Sequence, residues 1–312
     1  VQPMTGPVGQ IHTLRVRYAD TTTGGATNIA AGDEALSPFK IASSYSGNDS
    51  SPAKGAATAT LEGTAGKKLN VQILKQVVEA KSRKLSARWT FEAAQDAQAQ
   101  QGIDIEAEIM AALAQEITAE IDQEILTSLR ALAGSAAAAF DQSAVSGTAT
   151  FVGDEHAALA VLINQQANLI AQRTRRGAGN YAVVSSEALT ILQSATTSAF
   201  ARSTEGVFEA PTNTKFVGTL NNSMRVYVDG YASTGTDVLV GYKGSSEADA
   251  PAFYCPYIPL MSSGVVLDPS TFEPVVSFLT RYGYVELSNT ASSLGNAADY
   301  LARISISNVS FK

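Results

Sequence analysis

The stretch Ser82–Leu126 reads SRKLSARWTFEAAQDAQAQQGIDIEAEIMAALAQEITAEIDQEIL. Its second half sets the architecture. Branched apolar residues recur at Ile105, Ile109, Leu113, Ile117, Ile121, Ile125 and Leu129, with Met110, Leu126 and Leu132 beside them. That spacing describes one apolar helix face. Asp104 stands where an N-cap belongs, and Gln101-Gly102 stops a shorter helix over Ala93–Gln100 just ahead of it. The long helix is predicted to run from Asp104 to about Ala133, roughly 40 Å at 1.5 Å per residue. Its i, i+4 drift departs from a strict heptad, so it is expected to lie across a sheet rather than to form a coiled coil.

Charge divides the same region. From Lys67 to Arg88 the charged residues are Lys67, Lys68, Lys75, Lys81, Arg83, Lys84 and Arg88, against the single acid Glu79. From Glu92 to Glu124 every charged residue is acidic: Glu92, Asp96, Asp104, Glu106, Glu108, Glu116, Glu120, Asp122 and Glu124. Glu116, Glu120 and Glu124 share one helical face, and like charges at that spacing destabilise a lone helix by a few tenths of a kcal/mol per pair. The basic segment, on this or a neighbouring copy, is the nearest source of neutralisation. Lys67, Lys68, Lys75, Lys81, Arg83, Lys84, Glu116, Glu120 and Glu124 are therefore the candidate inter-subunit contacts. The competing reading is a stripe that faces solvent.

The 312 residues are 45% hydrophobic and 16% charged, enough for a sizeable core in one or two domains. A net charge of −7 and a pI near 5.0 argue against a protein that reads nucleic-acid sequence. A single cysteine, Cys255, excludes an internal disulfide and any cysteine-cluster metal site. No apolar run approaches the roughly 18 residues of a membrane helix. The first residue is Val1 rather than Met, as expected of a chain processed or trimmed at its start.

Outward from the long helix, Gln10–Tyr18 alternates as a strand and Leu69–Val78 as another. Between them, Ala19–Gly66 is rich in Thr, Ser, Ala and Gly and poor in large apolar residues, so it is expected to bury little of itself. The pair reads as the base of an extended hairpin arm. Ala136–Gly153 reads as a small-residue linker and Asp154–Arg173 as a second amphipathic helix. Tyr181–Val184 is a strand and Ser186–Gln193 a short helix; strands follow at Arg225–Val228, Val238–Val240, Phe253–Leu260, Phe272–Thr280 and Leu301–Val309. The class is α+β, without the β-α-β rhythm of a doubly wound sheet.

Catalytic chemistry is thin. His12 and His156 each lack a second His or Cys at ligand spacing, so no zinc site is expected. There is no G-x-S-x-G elbow. Gly63–Lys68 fails as a phosphate loop, because Leu61 stands five residues before Gly66 and Lys68 replaces the required Ser or Thr. Gly241-Tyr-Lys-Gly244 reads as a turn, and Arg173, Arg175 and Arg176 as cations closing a helix before Gly177. The acidic stripe has no histidine beside it and reads as a solvated or inter-subunit face rather than a metal site. Cys255 lies in an apolar run and reads as a buried small residue. No metal or cofactor is expected.

Four strings then carry a resemblance. VQPMTGPVGQI (Val1–Ile11), the quoted Ser82–Leu126, GYKGSSEADAPAFYCPYIPL (Gly241–Leu260) and TFEPVVSFLTRYG (Thr271–Gly283) resemble, in order, blocks of T-even-type tailed-phage major capsid proteins. The resemblance implies the Hong Kong 97-type capsid fold. In that frame residues 1–18, 71–145 and 250–287 form a peripheral domain with its spine helix at 104–133, 19–70 form an extended loop, and 146–249 with 288–312 form an axial domain. It implies a structural protein that self-assembles into hexameric capsomers of a DNA-containing head, with pentameric ones also open to it, with scaffold, maturation protease, portal and decoration proteins as further partners and double-stranded DNA enclosed without sequence-specific binding. Relatives carry an N-terminal arm ahead of the VQPM string, preceded by a segment the protease removes; the chain here begins at VQPM. A vertex paralogue and an encapsulin-type compartment are the alternatives, and the latter is not expected to combine the GYKG and TRYG strings. Lys54 and Asn48 lie in the arm, where their presence is compositionally unremarkable.

Overall fold

The computed structural model describes residues 1–23, 28–35, 45–47, 54–145, 152–195, 200–202, 215–232, 238–247, 249–288 and 297–310. In chain order the elements are β1 (Val8–Tyr18), α1 (Thr58–Leu61), β2 (Leu69–Glu79), β3 (Lys81–Arg88), α2 (Phe91–Gln101), α3 (Ile105–Ala133), β4 (Ala138–Asp141), α4 (Val152–Thr174), β5 (Tyr181–Val184), α5 (Ser186–Ser194), β6 (Phe200–Arg202), β7 (Lys215–Leu220), β8 (Met224–Val228), β9 (Val238–Gly241), β10 (Ala252–Ser262), β11 (Val266–Leu267), β12 (Pro274–Glu286) and β13 (Leu301–Ser307). Among the described residues no helix is long and apolar enough to cross a membrane.

Helix α3 organises the rest, and its limits follow from the sequence. The Asp104 side chain accepts from the Glu106 amide at 3.1 Å. Glu106 and Glu108 fall in the first turn and Arg130 in the last, each complementing the helix dipole. Gly102, in the left-handed region at φ 67°, ends α2 and turns the chain into α3. The apolar face then serves two sheets. Its first half, through Leu113 and Ile117, packs on Val276 and Phe278 with Leu85, Ala87 and Trp89. Its second half, through Leu126, packs on Val183, Leu239 and Leu301.

The first of these sheets has β12 at its centre, β3 along one edge and β10 with the two-residue β11 along the other, all antiparallel. The second is a mixed sheet of seven strands in the order β4-β13-β9-β5-β8-β7-β6. Its strands alternate sides: Val183, Leu239 and Leu301 meet α3, while Ala182, Val184, Val240, Ala302 and Ile304 meet α4 and α5 in the largest core cluster. Burial on both faces explains why these strands read as continuous apolar runs.

A third sheet is the two-stranded ribbon β1–β2, paired in register from Val8–Glu79 to Tyr18–Leu69. Its base crosses β12 at Gly283, where a Cβ would overlap the Val78 side chain. Gly283 in the TRYG string is thereby a packing requirement.

Three expectations are revised. The small-residue linker at 136–153 holds structure: β4 pairs in parallel with β13, and a single 3-10 turn (Gln142–Ala144) follows it; residues 146–151 lie outside the described residues. Strand β3 is not evident in the sequence, where Lys81–Arg88 reads as charge rather than as alternation. The segment after Tyr18 buries more than its composition suggests. Ile29, Ala35 and Tyr45 close on Tyr18 in a small cluster of their own, and the bridging pairs Arg17–Glu34 and Thr22–Ile29 secure it. Tyr45 also ties the two sides of the arm: its hydroxyl donates to the Lys68 carbonyl and accepts from the Asp20 amide at 3.2 Å. Much of the remaining arm, Asn48 included, lies outside the described residues.

Candidate assembly surfaces

Strand alternation splits the basic segment. Lys81, Arg83, Leu85 and Ala87 share the side that faces α3; Ser82, Lys84, Ser86 and Arg88 point the other way. Arg83 is the residue that meets the acidic stripe. Its guanidinium reaches Glu120 at 2.8 Å and Glu124 at 2.5 Å, and its Nε donates to the Tyr282 hydroxyl at 2.7 Å. The Tyr282 hydroxyl in turn donates to Glu124. Partial burial alone would raise the Glu124 carboxyl, but hydrogen bonds from Arg83 and Tyr282 outweigh it and hold the group below its usual range. The bond to Glu124, then that to Tyr282, raises Arg83, while burial and Glu124 raise Tyr282.

The neutralisation of Glu120 and Glu124 therefore occurs within one subunit, by a residue 37 and 41 positions upstream. Lys81 contributes a favourable charge near Glu124. Glu116, one turn nearer the helix start, is exposed and forms no ion pair among the described residues. Lys84 lies on the far face of the sheet. Lys67 is engaged inside the arm, donating to Thr22 Oγ1 at 2.9 Å and standing 5.7 Å from the Tyr45 ring centre. Lys68 is exposed, with its amide bound to Asp20. Lys75 is exposed on the ribbon opposite His12.

Sequence reasoning missed the ribbon's apolar face. Leu14 pairs with Ile73 and Val16 with Val71, all on one side. Leu14, Ile73 and Val71 are 69%, 68% and 66% exposed. The alternation of both strands was legible; the structure adds that Arg15 and Arg17 are buried on the other side, and that at the tip Val16 and Tyr18 are taken up by the arm's own cluster, leaving Leu14, Val71 and Ile73 bare.

The isolated histidine His156 is structural. It is buried, with Nδ1 2.5 Å from Ser194 Oγ and Nε2 3.3 Å from Gln142 Oε1. Gln142 also accepts from the Ser310 amide at 2.8 Å, tying the last strand's end to the α4 start. Cys255 is buried as expected. Among the described residues no group of His, Cys, Asp and Glu has the arrangement of a metal site.

The family model described as Major capsid protein Gp23 matches residues 1–306. The chain belongs to the Gp23 major capsid protein family. The major capsid protein of Vibrio phage KVP40 is 31% identical over 392 residues, covering 97% of this chain and 76% of the relative. That of Enterobacteria phage T4 is 37% identical over 234 residues, covering 69% of this chain and 44% of the relative, so the match spans less than half of the T4 protein. Among solved structures, the mature capsid of bacteriophage PhiM1 aligns with a TM-score of 0.54 at 13% identity, over 99% of this chain and 84% of that one. The capsid of Cyanophage P-SCSP1u aligns with a TM-score of 0.51 at 10% identity, over 99% and 86%. At those identities the likeness carries the fold, which is the α+β, Hong Kong 97-type capsid fold. The protein is a capsid protein, and its place is the virion shell. Its family is a structural one whose members self-assemble.

Proposed function

We propose that this capsid protein forms hexameric capsomers of a tailed-phage head and encloses double-stranded DNA without reading its sequence. The observation that carries this is the β1–β2 ribbon. A two-stranded ribbon is marginal in water by itself, and this one holds Leu14, Val71 and Ile73 exposed on one side. Contiguous apolar surface of that kind marks a contact with another chain. In this reading residues 19–70 are the extended loop, the α3–β12 half is the peripheral domain, the seven-stranded sheet is the axial domain, and catalysis has no part. The acidic balance suits a wall that must not grip a polyanion carrying one charge per about 1.7 Å. Negative-stain microscopy and sedimentation of the purified chain test the proposal. Shells or six-membered rings are expected; a monomer at every concentration and salt refutes it.

A further inference from the structure

We propose that the uncovered face of the four-stranded sheet is a socket for the α2–α3 corner of a second copy of this chain. The proposal rests on the shell reading above and adds a specific pair of surfaces to it.

One face of the sheet lies under α3. On the other, β3 presents Ser82, Lys84, Ser86 and Arg88, and their partners on β12 are Arg281, Leu279, Ser277 and Val275. The ribbon base covers one end of this face, where Val78 and Met4 pack over Gly283, Val285, Phe253 and Cys255. Beyond that end a groove of about 520 Å³ lies open between Lys84, Leu279 and Met261. Met261, the β10 partner of Leu279, is 47% exposed. Leu279 and Met261 give the groove an apolar floor between serines, Lys84 stands at its edge, and Arg281 and Arg88 lie farther along the same face to either side. Arg281 lies 5.1 Å from the Tyr257 ring centre, and its Nε has no hydrogen-bond partner among the described residues. Arg88 stands at 3.8 Å from Glu273 and is largely exposed. Lys84 forms no ion pair among the described residues.

The α2–α3 corner has the opposite character. Ile103 stands between the two helices, 41% exposed, at the edge of an open groove it shares with Trp89, Val265 and Leu267. Beside it stand Asp104 and Glu106, and no basic residue occurs from Glu92 to Glu124. Helix α2 fully buries none of its own residues, and its main packing contact is Phe91 on Phe272 at 5.5 Å. An apolar knob beside acids matches an apolar groove flanked by cations. Each copy carries one knob and one socket, so the contact is heterologous, the type that closes into rings when the rotation allows. Packaged DNA is the other polyanion available. A phosphate backbone would suit the three cations but would set charge against Leu279 and Met261, and the apolar floor favours the corner.

The test measures the protein concentration at half-maximal shell assembly, with circular dichroism and a thermal melt of unassembled subunits as the folding control. Lys84→Glu is expected to raise that concentration about tenfold, the scale of one mismatched charge pair at an interface. Ile103→Ala is expected to raise it severalfold, and Lys84→Glu combined with Glu106→Lys to recover most of the loss. If Lys84→Glu fails to fold, Lys84→Gln replaces it and must still raise the concentration. Assembly by the single variants at the parent's concentration overturns the proposal alone; a parent chain that never assembles overturns the shell reading with it. Duplex DNA is added to parent and variant subunits as a second probe. If Lys84→Glu abolishes DNA binding while assembly is unchanged, the face belongs to nucleic acid and the proposal fails.

Discussion

Arg83→Ala removes the centre of the clamp between β3 and α3, and the structure sets the size of the effect. Two ion pairs are lost, to Glu120 and Glu124, whose side chains are 46% and 41% exposed. Pairs that wet contribute about 0.5 kcal/mol each. The Nε bond to Tyr282 at 2.7 Å contributes about 1 kcal/mol more. The expected destabilisation is about 2 kcal/mol, below the roughly 3–5 kcal/mol of a broken buried pair. Urea denaturation of dilute, unassembled subunits measures it, and a double-mutant cycle with Glu124→Gln isolates the pair, with an expected coupling of about 0.5–1 kcal/mol. The folded Glu124 carboxyl sits below its unfolded value. Its contribution is therefore fully present above about pH 4.3 and is lost as pH falls through that value and on through the folded pKa. About 1 M salt should weaken the coupling. A coupling absent from dilute subunits but present in assembled shells would refute the reasoning, since it would place Arg83's partners on a neighbouring copy.

Leu14→Lys with Ile73→Glu, an opposite-charge pair across the ribbon, should leave the unfolding free energy of isolated subunits within about 0.5 kcal/mol of the parent, because both side chains are already exposed, and should abolish shells in negative stain. Burial holds His156 below its usual value, so the unfolded state binds the proton first and stability should decline as pH falls below about 6.5; His156→Phe subunits titrated with urea across that range should lose this dependence. Arg130 reaches the buried Asp229 at 2.9 Å, and Arg130→Met should cost about 3 kcal/mol in denaturant titrations by leaving that buried carboxylate without its cation, with the Gln123 side chain and the Tyr231 amide still donating to it. Ile117→Ala, at the α3 contact with Val276 and Phe278, should cost about 2–5 kcal/mol, while Val161→Ala on the exposed side of α4 should fall within about 0.5 kcal/mol of zero.

The elements that the sequence shows most clearly are those whose local signals agree. Asp104, Gly102 and the seven-residue apolar series all specify α3, and the structure places its helical limits at Ile105–Ala133. Tyr181–Val184 is legible because burial on both faces selects an unbroken apolar run. β4 is hidden, since Ala138–Asp141 has no alternation of its own and becomes a strand by pairing in parallel with Ile304–Ser307, more than 160 residues away. The arm's small cluster is hidden for a related reason. Ile29, Ala35 and Tyr45 are too dispersed to register as a core in any window, and they become one when the chain folds back on Tyr18.

The assembly surfaces show where one-dimensional charge reading ends. A run of basic residues beside a run of acidic ones suggests two faces that meet. The period-2 geometry of β3 divides the basic run instead, sending Arg83 toward α3 and Lys84 away from it. Adjacent residues of like charge thus acquire different surroundings: Arg83 fastens β3 to α3, while Lys84 stands on the opposite face of the sheet. The same division explains why Glu120 and Glu124 are satisfied within the chain and Glu116 is not. Arg83 reaches the two carboxylates nearest its own position along α3, and the next residue on its side of β3 toward Glu116 is Leu85, which can pack but cannot neutralise. A charge stripe on a helix is therefore neutralised within the chain only as far as the strand crossing it supplies cations.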